Sequence, residues 1–286
     1  MDGWFALWLF ALSLAASALG GMLGMASGIF IVPALTTFGH VSIRTAIGAS
    51  LVSVIACSCA NAAPFLRRRL TNVRLAIMLE TATSLGALSG VLLIGIIPTR
   101  LLFVFFAVIL LISARQMMAK RRDSVSNNNL EGGDRWGMFG LNSSYPDADL
   151  GRDVPYHVQR LHLGMVLMYG AGLISAILGI GSGVLKVPAM DTALRLPIKV
   201  SSATSNFMIG VTGAVSAGAY LMRGDITGAI AGPVALGSVV GAVAGARILI
   251  RISNDKVRVL FAAVLVALSA QMLLHAFGIR PFEDAR

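Results

Sequence analysis

The sequence predicts an all-α polytopic membrane protein of about eight transmembrane helices, in two homologous repeats whose first helices are broken or re-entrant. Three observations predict it. Of 286 residues, 56% are hydrophobic and only 13% charged, with a mean hydropathy of +0.81, whereas soluble domains carry about one-quarter charged residues. Eight apolar runs approach the roughly 20 residues that cross a hydrocarbon core of about 30 Å. The chain also aligns with itself at the single offset, 155 residues, that carries position 24 onto position 179.

The runs lie at 4–23, 46–66, 73–97 and 101–118, then at 161–178, 200–220, 226–250 and 257–277. The first contains Ala16-Ser17-Ala18, which resembles a cleavage site, but no basic residue precedes it and the repeat supplies a mid-chain counterpart, so it reads as a retained span. It ends in Gly24-x-x-x-Gly28, with Pro33 soon after. Glycine loosens a helix and proline removes a backbone donor, so this segment reads as a broken or re-entrant helix. The second run holds Ser50 and the two cysteines, Cys57 and Cys59. A helix turns those two roughly 200° apart, so they cannot bridge and read as small packing residues. The third run contains Glu80, the one acid well inside an apolar run of the first half, and Gly86-x-x-x-Gly90. That glycine pair reads as helix packing.

The stretch 119–159 contains Asn127-Asn128-Asn129, Gly132-Gly133, several acids and two prolines, and reads as a mobile polar surface loop. It separates a first transmembrane repeat, 1–118, from a second, 160–286.

The 155-residue shift pairs Gly24–Gly28 with Gly179-Ile180-Gly181-Ser182-Gly183, and Pro33 with Pro188. It pairs Ser50 with Ser205, Gly86 and Gly90 with Gly241 and Gly245, and Gln116-Met117 with Gln271-Met272, without a gap. Apolar composition alone aligns Leu, Ala and Val by chance, but not Gly, Pro, Ser and Gln together. Two matching breaks at membrane depth point to a central site, because irregular backbone there must be buried or line a wet cavity. Half-helix N-termini offer free N–H groups and partial positive charge, which suit an oxyanion, and Ser27 and Ser182 add hydroxyls.

Polar residues within the spans extend this candidate site. Lys186 lies two residues before Pro188 and either neutralises an anion, pairs with Asp191 or snorkels to the surface. Thr204, Ser205 and Asn206, with Ser50, are hydrogen-bond donors to an oxyanion or bond back to their own backbone. Glu80 is a candidate for a coupling proton or a surface partner of Arg74. An even number of spans per copy makes the repeats parallel; a re-entrant segment within each makes them inverted.

Gly179–Met190 followed by Pro197–Thr212 resembles the second-half signature of the TauE/SafE family of sulfite-exporter-type anion permeases, and Gly24–Pro33 with Gly48-Ala49-Ser50 is similar to its first repeat. The resemblance covers nearly the whole chain except 119–159. Ala26 stands where the family motif usually has glycine, so the half-sites need not be equivalent. The resemblance implies a secondary transporter of sulfite, a sulfonate or a related organosulfur or organic anion. The substrate-binding candidates are then Gly24, Ser27, Gly28, Ser50, Gly179, Gly181, Ser182, Gly183, Lys186, Thr204, Ser205 and Asn206, with Glu80 for coupling.

The net charge of +10 does not indicate nucleic acid, because Lys and Arg sit at the ends of apolar runs. Arg67, Arg68, Arg69, Arg74, Lys120, Arg121 and Arg122 place 119–159 and the N-terminus on the cytoplasmic side of an inner membrane; the second half's charges conflict. Catalytic and metal motifs are absent, no P-loop is present, and no cofactor is expected. The expected partners are a small anionic substrate and the lipid bilayer, with homo-oligomerisation left open. The competing reading is a membrane-embedded accessory or assembly subunit without transport activity of its own, whose long loop binds a partner.

Overall fold

The helix α1 (Gly3–Met22) stops just before the first glycine-rich break, and the short helix α2 (Gly28–Thr37) resumes after it. These and the following elements come from a computed structural model that describes residues 3–22, 27–94, 96–118, 141–147, 152–249 and 254–277. α3 (Ile43–Arg67), α4 (Val73–Ile94) and α5 (Thr99–Met118) complete the first half. The second half runs through α6 (Leu161–Leu178), α7 (Gly183–Thr192), α8 (Ile198–Met222), α9 (Gly228–Leu249) and α10 (Asn254–Ala276). Two helices not counted among the eight apolar runs, α2 and α7, are the segments the sequence reads as breaks. Ten residues rise about 15 Å, half the hydrocarbon thickness, so each is a half-helix.

The protein is an all-α polytopic membrane protein. Among the described residues, five stretches are long and apolar enough to cross a bilayer: Gly3–Gly20, Ile43–Arg67, Val73–Leu93, Leu161–Leu178 and Gly228–Gly245. α8 is 25 residues long and carries Ser201, Thr204, Ser205, Asn206, Thr212 and Ser216, all buried. These six side chains face inward, while Lys199 in the first turn is exposed. Leu85, Leu92, Phe105 and Leu236 are exposed, the pattern of a protein whose outer solvent is lipid.

Local sequence sets the helix starts. Asn72 caps α4 by accepting the Leu75 amide on Oδ1 at 3.1 Å, and Ser42 accepts the Thr45 amide at the start of α3. Adding 155 to the first residue of α2, α3, α4 and α5 gives the first residue of α7, α8, α9 and α10. The turns obey the same shift: His40 and Arg195 have φ of 50° and 53°, and Arg69 and Gly224 have φ of 55° and 76°.

The halves interlock. α1 packs on α9 and α6 on α4, while α3 packs on α8 and α5 on α10. Glycines allow the crossed contacts. A Cβ at Gly86 would stand 2.8 Å from the Tyr169 carbonyl carbon, and one at Gly241 would stand 2.9 Å from that of Leu14. These contacts are related by the 155-residue shift, and they use the Gly-x-x-x-Gly pairs assigned to packing. Cys57 is buried and Cys59 exposed, both as free thiols.

Where it is described, the 119–159 segment contains regular structure. β1 (Ser143–Asp147) and β2 (Arg152–Tyr156) form an antiparallel hairpin. Pro146 and Pro155 fit because both strands of a two-stranded ribbon are edges. Leu141, Tyr156 and Val158 are buried with Leu75, Leu79, Met190, Leu194 and Val200. Asn72 Nδ2 donates to the Leu141 carbonyl at 2.9 Å and to the Tyr156 hydroxyl at 3.0 Å. Burial holds the Tyr156 phenol above its ordinary pKa, against the opposing effect of the Asn72 amide, so it stays neutral near neutral pH. The segment's few apolar residues conceal this docking because the surface that receives them comes from distant helices.

Candidate functional site

The two breaks meet. A Cβ placed on Gly28, the first residue of α2, would land on the Gly179 carbonyl oxygen, 2.5 Å from Ser50 Oγ and 3.1 Å from the Ile180 carbonyl carbon. Only a glycine permits this approach. Ser50 Oγ donates to the Gly179 carbonyl at 2.6 Å, tying α3 to the break of the other half. Gly179 and Gly181 hold φ of 65° and 70°, left-handed backbone that glycine adopts without steric cost, and α7 begins two residues later at Gly183. Ser27 and Ser182 precede the two short helices, and neither side chain caps its helix. Helix geometry leaves the Gly28, Ile29, Gly183 and Val184 amides without intrahelical acceptors. Gly24 and Ala26 lie outside the described residues.

The hydroxyl protons can be assigned by following each donor. Ser238 Oγ donates to the Val234 carbonyl at 2.7 Å, so it accepts from Ser53 Oγ. Ser53 therefore accepts from Ser27, 2.7 Å away. The chain runs Ser27 to Ser53 to Ser238 to backbone, which commits the Ser27 proton to the protein. The Ser50 proton is likewise committed, to Gly179. Ser182 Oγ and Ser205 Oγ are buried without a hydrogen-bond partner among the described residues.

Lys186 belongs to a different cluster. Its wholly buried ammonium donates to Glu80 Oε2 at 3.1 Å and to Thr212 Oγ1 at 2.6 Å. Thr212 donates in turn to Glu80 Oε1 at 2.5 Å, closing a ring across α7, α4 and α8. Glu80, only 10% exposed at its side chain, thus faces Lys186 rather than serving as a surface partner for Arg74. The 155-residue shift maps Lys186, Thr212 and Glu80 onto Ile31, Cys57 and Ala235. Each cluster draws on both repeats: the hydroxyl chain on Ser27, Ser53 and Ser238, and the charged ring on Glu80, Thr212 and Lys186.

The sequence model described as "Sulfite exporter TauE/SafE" matches residues 9–272. The chain belongs to this family. The probable membrane transporter protein YunE of Bacillus subtilis (strain 168) is 23% identical to this TauE/SafE chain over 272 residues, spanning 93% of the chain and 96% of the relative. No solved structure matches it.

Within this TauE/SafE chain, Gly28, Ser50 and Gly179 come together at the paired breaks. Thr204 Oγ1 instead accepts the Asn72 amide at 3.2 Å, at the α3–α4 turn. Asn206 Nδ2 donates to the Ser202 carbonyl at 3.1 Å, and the Asn206 backbone carbonyl accepts from Ser58. Three participants were not among the sequence candidates: Thr212, Ser53 and Ser238. Charge balance offered a route to the ring, since a cation inside an apolar segment requires a counter-charge and Glu80 was the acid similarly placed. Ser53 and Ser238 are related to Met208 and Thr83 by the shift, so the repeat could not reveal them.

Proposed function

We propose that this protein is a secondary transporter, a permease that carries a small anion such as sulfite, a sulfonate or a related organosulfur or organic anion across the inner membrane. Its architecture on this reading is eight spans in two repeats, 1–118 and 160–286, with the N-terminus and the 119–159 linker cytoplasmic. The matching helix starts and turns support the repeats, and Arg67, Arg68, Arg69 and Arg74, with Lys120, Arg121 and Arg122, support the orientation. One observation carries the function: the start of α2 meets the break that precedes α7, backbone to backbone, and at the start of α7 the Ser182 hydroxyl is buried with no hydrogen-bond partner among the described residues. Such paired, interrupted helices are the usual construction of a carrier's central site. The amides without intrahelical acceptors and the partial positive charge at the start of each half-helix favour an oxyanion, and Ser182 and Ser205 supply hydroxyls uncommitted among the described residues. Lys186, one turn into α7, supplies the positive charge.

The test uses purified protein. Thermal unfolding in detergent with sulfite, sulfate, thiosulfate, sulfoacetate or taurine should reveal stabilisation by at least one anion, because a ligand stabilises the state that binds it. The same anion should enter liposomes containing this protein alone. Lys186→Met should abolish both effects while Lys186→Arg retains part of them, because the charge persists and the geometry changes. Absence of stabilisation and uptake with every anion overturns the proposal.

A further inference from the structure

We propose that the transported anion and the Glu80 carboxylate compete for the Lys186 ammonium, so that anion binding is completed by a proton taken up on Glu80. This rests on the reading of the protein as an anion carrier. With Glu80 ionised, the ring of Lys186, Thr212 and Glu80 contains one positive and one negative charge in a buried setting. An anion arriving at Lys186 adds a second negative charge that the interior cannot solvate. A proton drawn from the same aqueous phase as the anion forms an O–H bond on Glu80 and restores neutrality. It leaves as the anion leaves, so anion and proton cross together.

Thr212 is built to follow this exchange. Its one hydroxyl proton points to Glu80 Oε1 at 2.5 Å, and a second acceptor, the Met208 carbonyl, lies 3.2 Å away. When Glu80 gains a proton and becomes a donor, Thr212 can turn its own proton to Met208 and accept from Glu80. Ser84 Oγ, 3.4 Å from Glu80 Oε1, is the weaker contact on the same helix. Other ionisable groups on the packed elements are Arg74 on α4, His162 and Tyr169 on α6, Asp191 on α7, Lys199 and Tyr220 on α8, and Arg44, Cys57, Cys59 and Arg67 on α3. Tyr169 gives its hydroxyl to Ser89, and the ring closes through its own three members. Because Ile31, Cys57 and Ala235 occupy the positions related by the shift, the device exists once, and the coupling is one proton per anion.

The test titrates the purified full-length protein with sulfite, thiosulfate and sulfoacetate in weakly buffered detergent solution, recording protons taken from the medium per anion bound. A protein-free titration supplies each probe's own proton count, which also cancels between wild type and Glu80→Gln. The wild type should take up close to one proton more per anion than Glu80→Gln. Its affinity should fall by up to about tenfold per pH unit on the alkaline side, a dependence the variant lacks. Equal counts in the two proteins overturn the exchange. If Glu80→Gln does not fold, a wild-type count no greater than the protein-free count overturns it as well. Failure of all three anions to bind overturns the carrier reading itself, whereas binding without excess proton uptake leaves that reading standing and removes only the coupling.

Discussion

Replacing Gly28 by alanine tests the meeting of the two breaks. The added Cβ would fall on the Gly179 carbonyl oxygen and 2.5 Å from Ser50 Oγ. Ser50 can rotate away, but only by giving up its 2.6 Å bond to that carbonyl, and the carbonyl itself cannot move without shifting the break. Forcing a methyl group into packed backbone costs about 1–3 kcal/mol, and the lost hydrogen bond adds about 1 kcal/mol. Alanine recovers up to about 1 kcal/mol of helix propensity, leaving a net loss of about 1–3 kcal/mol. Gly218→Ala is the control: it also lies in a helix, nothing stands within 4 Å of its added Cβ, and it should stabilise by up to about 1 kcal/mol. Unfolding in detergent micelles with a rising fraction of sodium dodecyl sulfate measures both. The double variant Gly28→Ala/Ser50→Ala should recover only part of the loss, because the carbonyl clash remains. A Gly28→Ala protein within about 0.5 kcal/mol of wild type, with normal anion uptake, would refute the close approach.

The serines should separate by the fate of their protons. Ser182→Ala and Ser205→Ala should leave stability unchanged and weaken anion binding by roughly ten- to a hundredfold, the worth of a bond to a charged group, as read by titration. Ser50→Ala should instead cost about 1 kcal/mol in the unfolding assay, because its proton already serves Gly179. At the hairpin, Asn72→Ala removes the α4 cap and the bonds to Leu141 and Tyr156, and should destabilise by about 1–2 kcal/mol. Tyr156→Phe should cost less, and limited proteolysis within 141–158 should rank the variants in that order.

The span pattern, the breaks and the crossed glycine pairs were legible because each is written in local composition or in recurrence at one offset. Gly86 and Gly241 recur together since both meet the same kind of backbone. What recurrence cannot reveal is where the halves differ. Glu80, Thr212 and Lys186 have Ala235, Cys57 and Ile31 as counterparts, so their association arises only in the folded chain. Hydroxyl direction is equally hidden: Ser27 and Ser182 match in sequence, yet Ser27 has Ser53 beside it and Ser182 does not. The docking of the hairpin depends on Asn72, whose single side chain caps α4 and holds a segment some seventy residues further along the chain.

The crossed packing of α1 on α9 and α6 on α4 has a consequence for biogenesis. The face of α1 around Leu14 and Ala18 is shaped for Gly241 and Gly245, which lie on α9 and are translated long after α1. At about 5–20 residues per second, roughly 10–40 s separate the emergence of α1 from that of α9. Through that interval α1 sits in lipid or against the insertion machinery with its complementary helix not yet made, and α4 must likewise wait for α6. Neither half can finish its own packing alone. A chain cut in the 119–140 segment should therefore be recovered only when both fragments are produced in the same membrane, where each completes the other.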